Sequence, residues 1–323
     1  MRCPTLRELP PPPAGKTGWP WTEESASLPL SMANGARWPP VTVVTPSFNQ
    51  AAFVEATLRS VLLQGYPDLE YFVLDGGSTD GSVEIIKKYE PWLASWFSGP
   101  DGGQSVAIDR GLRLGSGLFA TWINSDDMLC RNALVMHAMQ AGFTAGIIYV
   151  GDCVHVDASD RILHTHRGRV RSFEDLVRVS TVWRGRERGH LVQPEVLFPR
   201  QLALEAGGLN RNNHRTMDYE LWGRLLLAGA RVEYTGIQFG VFRLHDQQKT
   251  YDGWRQTMSL INTALELLSH AEHLPASTKG EIARELHAYE EECWRRTGAL
   301  ATLHLPRQLV TRLRKLRATL RRA

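Results

Sequence analysis

Between residues 41 and 127, an apolar run gives way three times to a turn of polar residues and glycines. Val41-Thr42-Val43-Val44-Thr45 stops at Pro46 and the loop Ser47-Phe48-Asn49. Glu70 to Leu74 stops at Asp75-Gly76-Gly77-Ser78-Thr79-Asp80-Gly81-Ser82. Leu118 to Ile123 stops at Asn124-Ser125-Asp126-Asp127. Between these runs lie stretches with apolar residues at helical spacing, such as Phe53, Ala56, Leu58, Val61 and Leu62,. Strand and helix in alternation predict a parallel sheet with crossover helices. Pro46 cannot donate to a ladder, so the first strand is expected to end there. In open sheets of this kind, ligands collect beyond the carboxyl ends of the strands.

The third turn carries the most chemistry. Adjacent carboxylates at Asp126 and Asp127 repel unless a cation or hydrogen-bond donors compensate. A hard divalent ion carrying a substrate diphosphate would do so. The competing reading makes these acids caps of a helix starting near Met128 and running from Leu129 to Ala141.

Further along, Ile147 to Asp152 reads as another strand, and Arg167, Arg169 and Arg171 alternate like a strand face,. Asp218 to Leu227 has a helical face of Tyr219, Trp222, Leu225 and Leu226. Val232 to Thr235 and Phe239 to Arg243 read as two short strands, and two helices follow, divided at Leu274-Pro275,. Four units result: a Pro-rich arm over 1–39, a catalytic-type domain over 40–250, a helical extension over 251–305, and a basic amphipathic helix over 306–323. The arm reads as extended, with Trp19, Trp21 and Trp38 available to pin it down.

Composition narrows the functional classes. A 43% apolar content fills a sizeable core, and a net charge of +3 does not suggest a nucleic-acid binder,. Cys3, Cys130, Cys153 and Cys293 form no Cys-x-x-Cys pair, so free thiols are expected rather than zinc or disulfides,. The N-terminal stretch lacks a signal-peptide core, and no run reaches the roughly 18 apolar residues of a membrane span. A cytoplasmic protein is predicted. The leucines and arginines of 306–323 would suit a peripheral contact with the inner membrane face, or equally a solvated or partner-binding helix.

Several pieces occur in one order: Thr45-Pro46-Ser47-Phe48-Asn49, the Asp75 to Ser82 turn, Asn124-Ser125-Asp126-Asp127, Met217-Asp218-Tyr219-Glu220-Leu221-Trp222 and Phe242-Arg243-Leu244-His245. Together they resemble the family 2 glycosyltransferases, inverting enzymes on the A-type glycosyltransferase fold. Gln193-Pro194-Glu195 and Gly207-Gly208-Leu209 resemble the segment before that family's acidic helix. The resemblance covers roughly 40–250 and implies a single α/β domain, a mostly parallel central sheet flanked by helices, and added C-terminal helices. The nucleotide half would be about 40–127 and the acceptor half about 128–250.

The resemblance also implies roles. Thr45, Pro46, Ser47 and Asn49 would form one wall of a nucleotide site. Asp75, with Gly76 beside it, would meet the base. Asp101 and Gln104 lie in a region near the nucleotide, although either could simply cap the next helix. Asn124 stands where the family's metal motif often has an acid; it and Ser125 would touch the nucleotide. Asp126 would hold Mg²⁺ or Mn²⁺, with Asp127 orienting the site. His245 would be a second ligand or a phosphate donor, supported by Arg243. Asp218 would be the catalytic base, a role compatible with capping its own helix. The implied activity is metal-dependent inverting transfer from a nucleoside-diphosphate sugar, a UDP-sugar first, to a carbohydrate or lipid-linked acceptor in polysaccharide or glycoconjugate synthesis. A non-catalytic nucleotide-sugar-binding module is the alternative. A nucleotidyltransferase is disfavoured because Thr45 to Gln50 contains no Lys or Arg.

Overall fold

Nine strands make one curled sheet in the order β3-β2-β1-β4-β8-β6-β9-β5, with β7 attached to β6. The strands are β1 (Val41–Ser47), β2 (Leu69–Asp75), β3 (Ser95–Ser98), β4 (Phe119–Trp122), β5 (Met128–Leu129), β6 (Ile147–Asp157), β7 (Ile162–Arg167), β8 (Val196–Pro199) and β9 (Arg231–Leu244). The computed structural model describes residues 3–183, 189–246, 248 and 253–297. The basic stretch 306–323 lies outside the described residues. Among the described residues no helix is long and apolar enough to cross a membrane.

The alternation read from the sequence holds through β4. Helices α1 (Val54–Leu62), α2 (Ser82–Tyr89) and α3 (Gln104–Leu114) connect β1, β2, β3 and β4, which pair in parallel. Pro46 does not end β1, which pairs with β2 as far as Ser47. The Val44 carbonyl accepts from Ile123, so even-numbered residues of β1 face β4,. Pairing with β4 stops at Val44, so the missing N–H of Pro46 costs no ladder bond,.

Past β4 the sheet is mixed. β8 pairs antiparallel with β4 and β6, and β5 antiparallel with β9, while β6 and β9 are parallel. The two expected strands over 232–243 are one, β9. Arg167 ends β7, so Arg169 and Arg171 lie beyond the strand. Met128-Leu129 is a strand against β9, and helix α4 (Ala133–Gln140) starts only at Ala133. Asp126 and Asp127 therefore cap no helix, which removes the bland reading of that turn.

Apolar residues on the two faces of the sheet build two cores. Val41, Val43 and Phe119 pack with α1, α2 and α4; Val44, Ala120 and Trp122 pack on the other side. That second core includes residues of α3, α5 (Phe173–Val177), α6 (Val179–Val182), α7 (Arg200–Glu205), α8 (Met217–Leu227), α9 (Gly253–Ser269) and α10 (Ala276–Thr297). Arg178 ties the C-terminal helices on through Glu174, Glu281 and Glu285.

The N-terminal arm docks on the first core. Cys3, Leu9 and Trp21 are buried, and the Trp19 indole donates to the Leu129 carbonyl at 2.9 Å. Arg59 of α1 is fully buried beneath the arm. It donates to the carbonyls of Pro10, Pro20 and Trp21 at 2.8, 3.0 and 3.0 Å and to the Tyr89 hydroxyl at 3.2 Å. Cys130 and Cys153 are buried, Cys293 is half-buried, and no disulfide links the four cysteines.

One close approach packs β9 against the turn at Gln193–Glu195. A Cβ built on Gly240 of β9 would lie 2.2 Å from the Pro194 carbonyl oxygen. Only glycine lets β9 pass the turn at Gln193–Glu195. Gly240→Ala is expected to cost about 1–3 kcal/mol through overpacking. Urea unfolding measures this, and an unchanged midpoint would show that the turn yields freely.

Candidate active site

The carboxyl ends of β1, β2 and β4 lie side by side, as the parallel register requires. The β2 turn is organised by Asp75, whose buried carboxylate accepts from the N–H groups of Gly77 and Ser78 at 3.0 and 2.8 Å. The hydroxyls of Ser78 and Ser98 add bonds of 2.5 and 2.8 Å. Asn49 links this turn to β1: its Oδ1 accepts from Thr79 N–H at 2.9 Å, and its N–H donates to Ser78 Oγ at 2.7 Å. Gly76 keeps the surface open, because a Cβ there would meet Phe48 and the Asp101 carboxylate at 3.3 and 3.4 Å. Ser47 is buried, and its hydroxyl has no partner, a polar group available to a ligand,.

The turn after β4 is held from three directions. Asn124 accepts from Gln104 Nε2 at 2.7 Å, and its amide donates to Asp127 Oδ2 at 3.2 Å and Gln193 Oε1 at 3.3 Å. Asp127 is buried, and its Oδ1 accepts from the Arg243 N–H at 2.9 Å. Desolvation, and then the Asp126 charge beside it, push its carboxyl well above the usual carboxylate range,. Buried Arg243 donates to the Asp126 carbonyl at 2.6 Å and to Asp160 Oδ1 at 2.5 Å, from the turn between β6 and β7. Its guanidinium lies 4.8 Å from the Phe53 ring centroid, and the His245 ring lies 4.9 Å from the same ring. Phe53 thus supports both residues from below.

His245 Nε2 sits 2.9 Å from Asp126 Oδ2. The two side chains are thus within hydrogen-bond and ion-pair reach of each other. Among the described residues, no cluster of three or more His, Cys, Asp or Glu could hold a metal. The donor set fits Mg²⁺ or Mn²⁺, which is commonly held by one or two protein groups with phosphates and water completing the shell.

Asp218 stands in the first turn of α8, where the helix N-terminus favours negative charge,. The capping position is Thr216, so Asp218 is not the cap itself. Its Oδ1 accepts from Tyr219 N–H at 2.8 Å. Beside it lies a small pocket with room of about 30 Å³, lined by Trp183, His190, Tyr219, Trp222 and Gln256 with aliphatic neighbours. Asp218 is half-buried, and desolvation among those side chains raises its carboxyl above the ordinary 3.8. The Asp126 turn and α8 are stitched together through α3. Gln104 holds Asn124, and Ser105 Oγ donates to the Asn213 carbonyl at 2.6 Å and lies 2.9 Å from Met217 Sδ. Below them Trp122 stacks on Trp222, with centroids 5.4 Å apart.

Residues 42–191 match the sequence model for glycosyl transferase family 2. That stretch, a little under half of the chain, is similar to the family 2 glycosyltransferases. An uncharacterised glycosyltransferase of Mycobacterium tuberculosis is 36% identical over 104 residues, 32% of this chain and 40% of the relative. The match therefore spans well under half of that relative's length. An uncharacterised glycosyltransferase of Rickettsia typhi is 24% identical over 247 residues, 73% of this chain and 70% of its own. Staphylococcus aureus TarS 1–349 in complex with UDP-GlcNAc shares the fold, with a TM-score of 0.59 and 14% identity over 82% of this chain and 76% of that one. So does a Pyrobaculum calidifontis mannosyltransferase in complex with GDP-Man and Mn²⁺, with a TM-score of 0.52 and 20% identity over 88% and 80%.

Within the matched stretch, Ser47, Asn49, Gly76, Asp101 and Gln104 gather at the sheet edge beside Asn124 and the buried Ser125. Pro46 is buried in β1. Thr45 is turned away: it is fully buried, and its hydroxyl is paired with Tyr71 at 2.8 Å. Asp75 and Asn124 are occupied by internal bonds and shape the two turns. Asp101 does serve its own loop, accepting from Gly103 N–H at 2.7 Å. Phe53 and Asp160 were not singled out by sequence: one reads as a helix-face residue, the other as a hairpin-turn acid.

Proposed function

We propose that the chain is an inverting glycosyltransferase. It moves a sugar from a nucleoside-diphosphate sugar, a UDP-sugar first, to a hydroxyl of a carbohydrate or lipid-linked acceptor. The observation that carries this reading is the joining of Asp126–His245 to the α8 N-terminus through Gln104, Ser105 and Asn124. A phosphate-side site and a desolvated carboxylate thus share one rigid support.

The edges of β1 and β2 offer the nucleotide the Ser47 hydroxyl and the open surface over Gly76. Asp126 and His245 would hold Mg²⁺ or Mn²⁺, which supplies positive charge to the departing diphosphate. Arg243 fixes Asp126 by its main chain, and Phe53 fixes the His245 ring. Asp218 takes the proton of the acceptor hydroxyl as that oxygen attacks the anomeric carbon. Its raised carboxyl makes it a stronger base than an exposed aspartate,. Attack from the side opposite the diphosphate inverts the anomeric centre.

His245→Ala is expected to lower Mn²⁺-supported nucleotide release from a UDP-sugar about 10–100-fold. Calorimetry should show the Mn²⁺-dependent part of UDP affinity falling with it. Retention of that metal dependence in the variant would remove His245 from the ligand set.

A further inference from the structure

The hairpin of β6 and β7 gathers three histidines on one face, and the proposed chemistry uses none of them. His155 pairs with His164 across the hairpin, and their rings stack with centroids 4.4 Å apart and planes 19° apart. His166, two residues further along β7, lies 6.0 Å from the same His155 ring. The Phe242 ring of β9 closes the other side at 5.2 Å. Alternation along β6 puts the buried Cys153 thiol on this face too, kept neutral by burial,. Among the described residues, the buried His155 Nε2 has no hydrogen-bond partner. Desolvation, and then the His164 and His166 charges, push its imidazole down from 6.5 to about 4,. The strand that covers it is an edge. Among the described residues β7 pairs with β6 alone, and Ile162, Leu163, His164, Thr165 and Arg167 are exposed. Ion pairs Arg167–Asp152 and Arg161–Asp157 close its two ends at 2.9 and 2.7 Å. The turn before β7 supplies Asp160, which holds Arg243, and Arg243 holds the Asp126 carbonyl.

We propose that the β6–β7 hairpin is a pH-sensitive flap: in mild acid, positive charge gathering on the histidine face frees β7 from β6 and withdraws Asp160 from Arg243. Opening returns His155 to water and to its ordinary 6.5, so the open form binds the proton more tightly than the docked form. The docked form is fully favoured above pH 6.5. It loses ground as pH falls from 6.5 to about 4, by up to about tenfold per unit,.

Amide hydrogen exchange of the full chain, followed by mass spectrometry and corrected for intrinsic exchange rates, tests this without any sugar transfer. The result therefore stands apart from the roles proposed for Asp126 and Asp218. Protection of peptides covering 158–167 should fall roughly 30-fold between about pH 7.5 and pH 5, while peptides covering β1 change less than about threefold. His155→Phe keeps a ring against His164 and Phe242 and cannot take the proton. In that variant the fall over 158–167 should shrink to less than about threefold. Three results would overturn the flap: wild-type protection of 158–167 that does not change with pH, β1 losing protection in step with it, or His155→Phe falling as far as wild type. If His155→Phe leaves β1 unprotected at pH 7.5, the variant has not folded and His155→Gln takes its place. The wild-type comparison of 158–167 with β1 decides in either case.

Discussion

Asp218→Asn is expected to lower kcat/KM for sugar transfer by about 10²–10⁴-fold, the range of general-base contributions. The amide is nearly isosteric and can still accept from Tyr219 N–H, so α8 should stay intact. UDP binding measured by calorimetry should stay within about twofold, because the role proposed for Asp218 is on the acceptor side. The pH profile gives a second readout with a defined sign. The base acts in its ionised form, and burial raises its carboxyl above 3.8. Activity should therefore fall as pH drops through that raised value, giving an acid limb above the ordinary aspartate range. A variant with wild-type turnover, or an acid limb at the value of an exposed aspartate, would take the role away from Asp218.

The second large effect is on stability. Arg59→Met keeps most of the side-chain volume but strips three main-chain carbonyls of the arm of their donor at once. Each buried, unpaired carbonyl costs roughly 1–3 kcal/mol. The guanidinium also lies 5.6 Å from the Trp21 ring centroid, and that cation–π attraction disappears with the charge,. A loss on the order of 3–5 kcal/mol is expected in urea unfolding, together with a change in tryptophan emission as Trp19 and Trp21 become wetter. A loss below about 1 kcal/mol would mean that the arm is held by its apolar packing alone.

How much of this was legible depends on how local each signal is. β1, β2 and β4 and their helices could be read directly, because strand, turn and helix follow one another in the chain and pair with near neighbours. Met128-Leu129 could not: two residues become a strand only because Val241 and Gly240 lie beside them in space. The same holds for β8, whose partners β4 and β6 flank it in the opposite direction. Pro46 misled because its effect depends on which neighbour its nitrogen faces. Arg59 reads as an ordinary polar helix position, and only the docked arm makes it a core residue.

The candidate site divides in the same way. Asp126, Asp218, Arg243 and His245 stood out by residue type and order, and the structure brings Asp126, Arg243 and His245 into contact. Asp75 and Asn124 show the limit of that approach: an acid or amide at a strand end can serve a ligand or its own loop. Here the internal bonds answer for most of their capacity. Phe53 and Asp160 act through Arg243 and His245, and no local pattern marks such support.

A single displacement driven by Asp218 is tested most directly by the anomeric configuration of the product. Water can replace the acceptor, so the experiment needs only a nucleotide-sugar donor, Mn²⁺ and the full chain. Proton NMR at early time points, before mutarotation, reads which anomer is released. The expected product is the anomer opposite to that of the donor, with release strongly reduced in Asp218→Asn. Release of the same anomer as the donor, or no nucleoside diphosphate released from any nucleotide sugar, would contradict it.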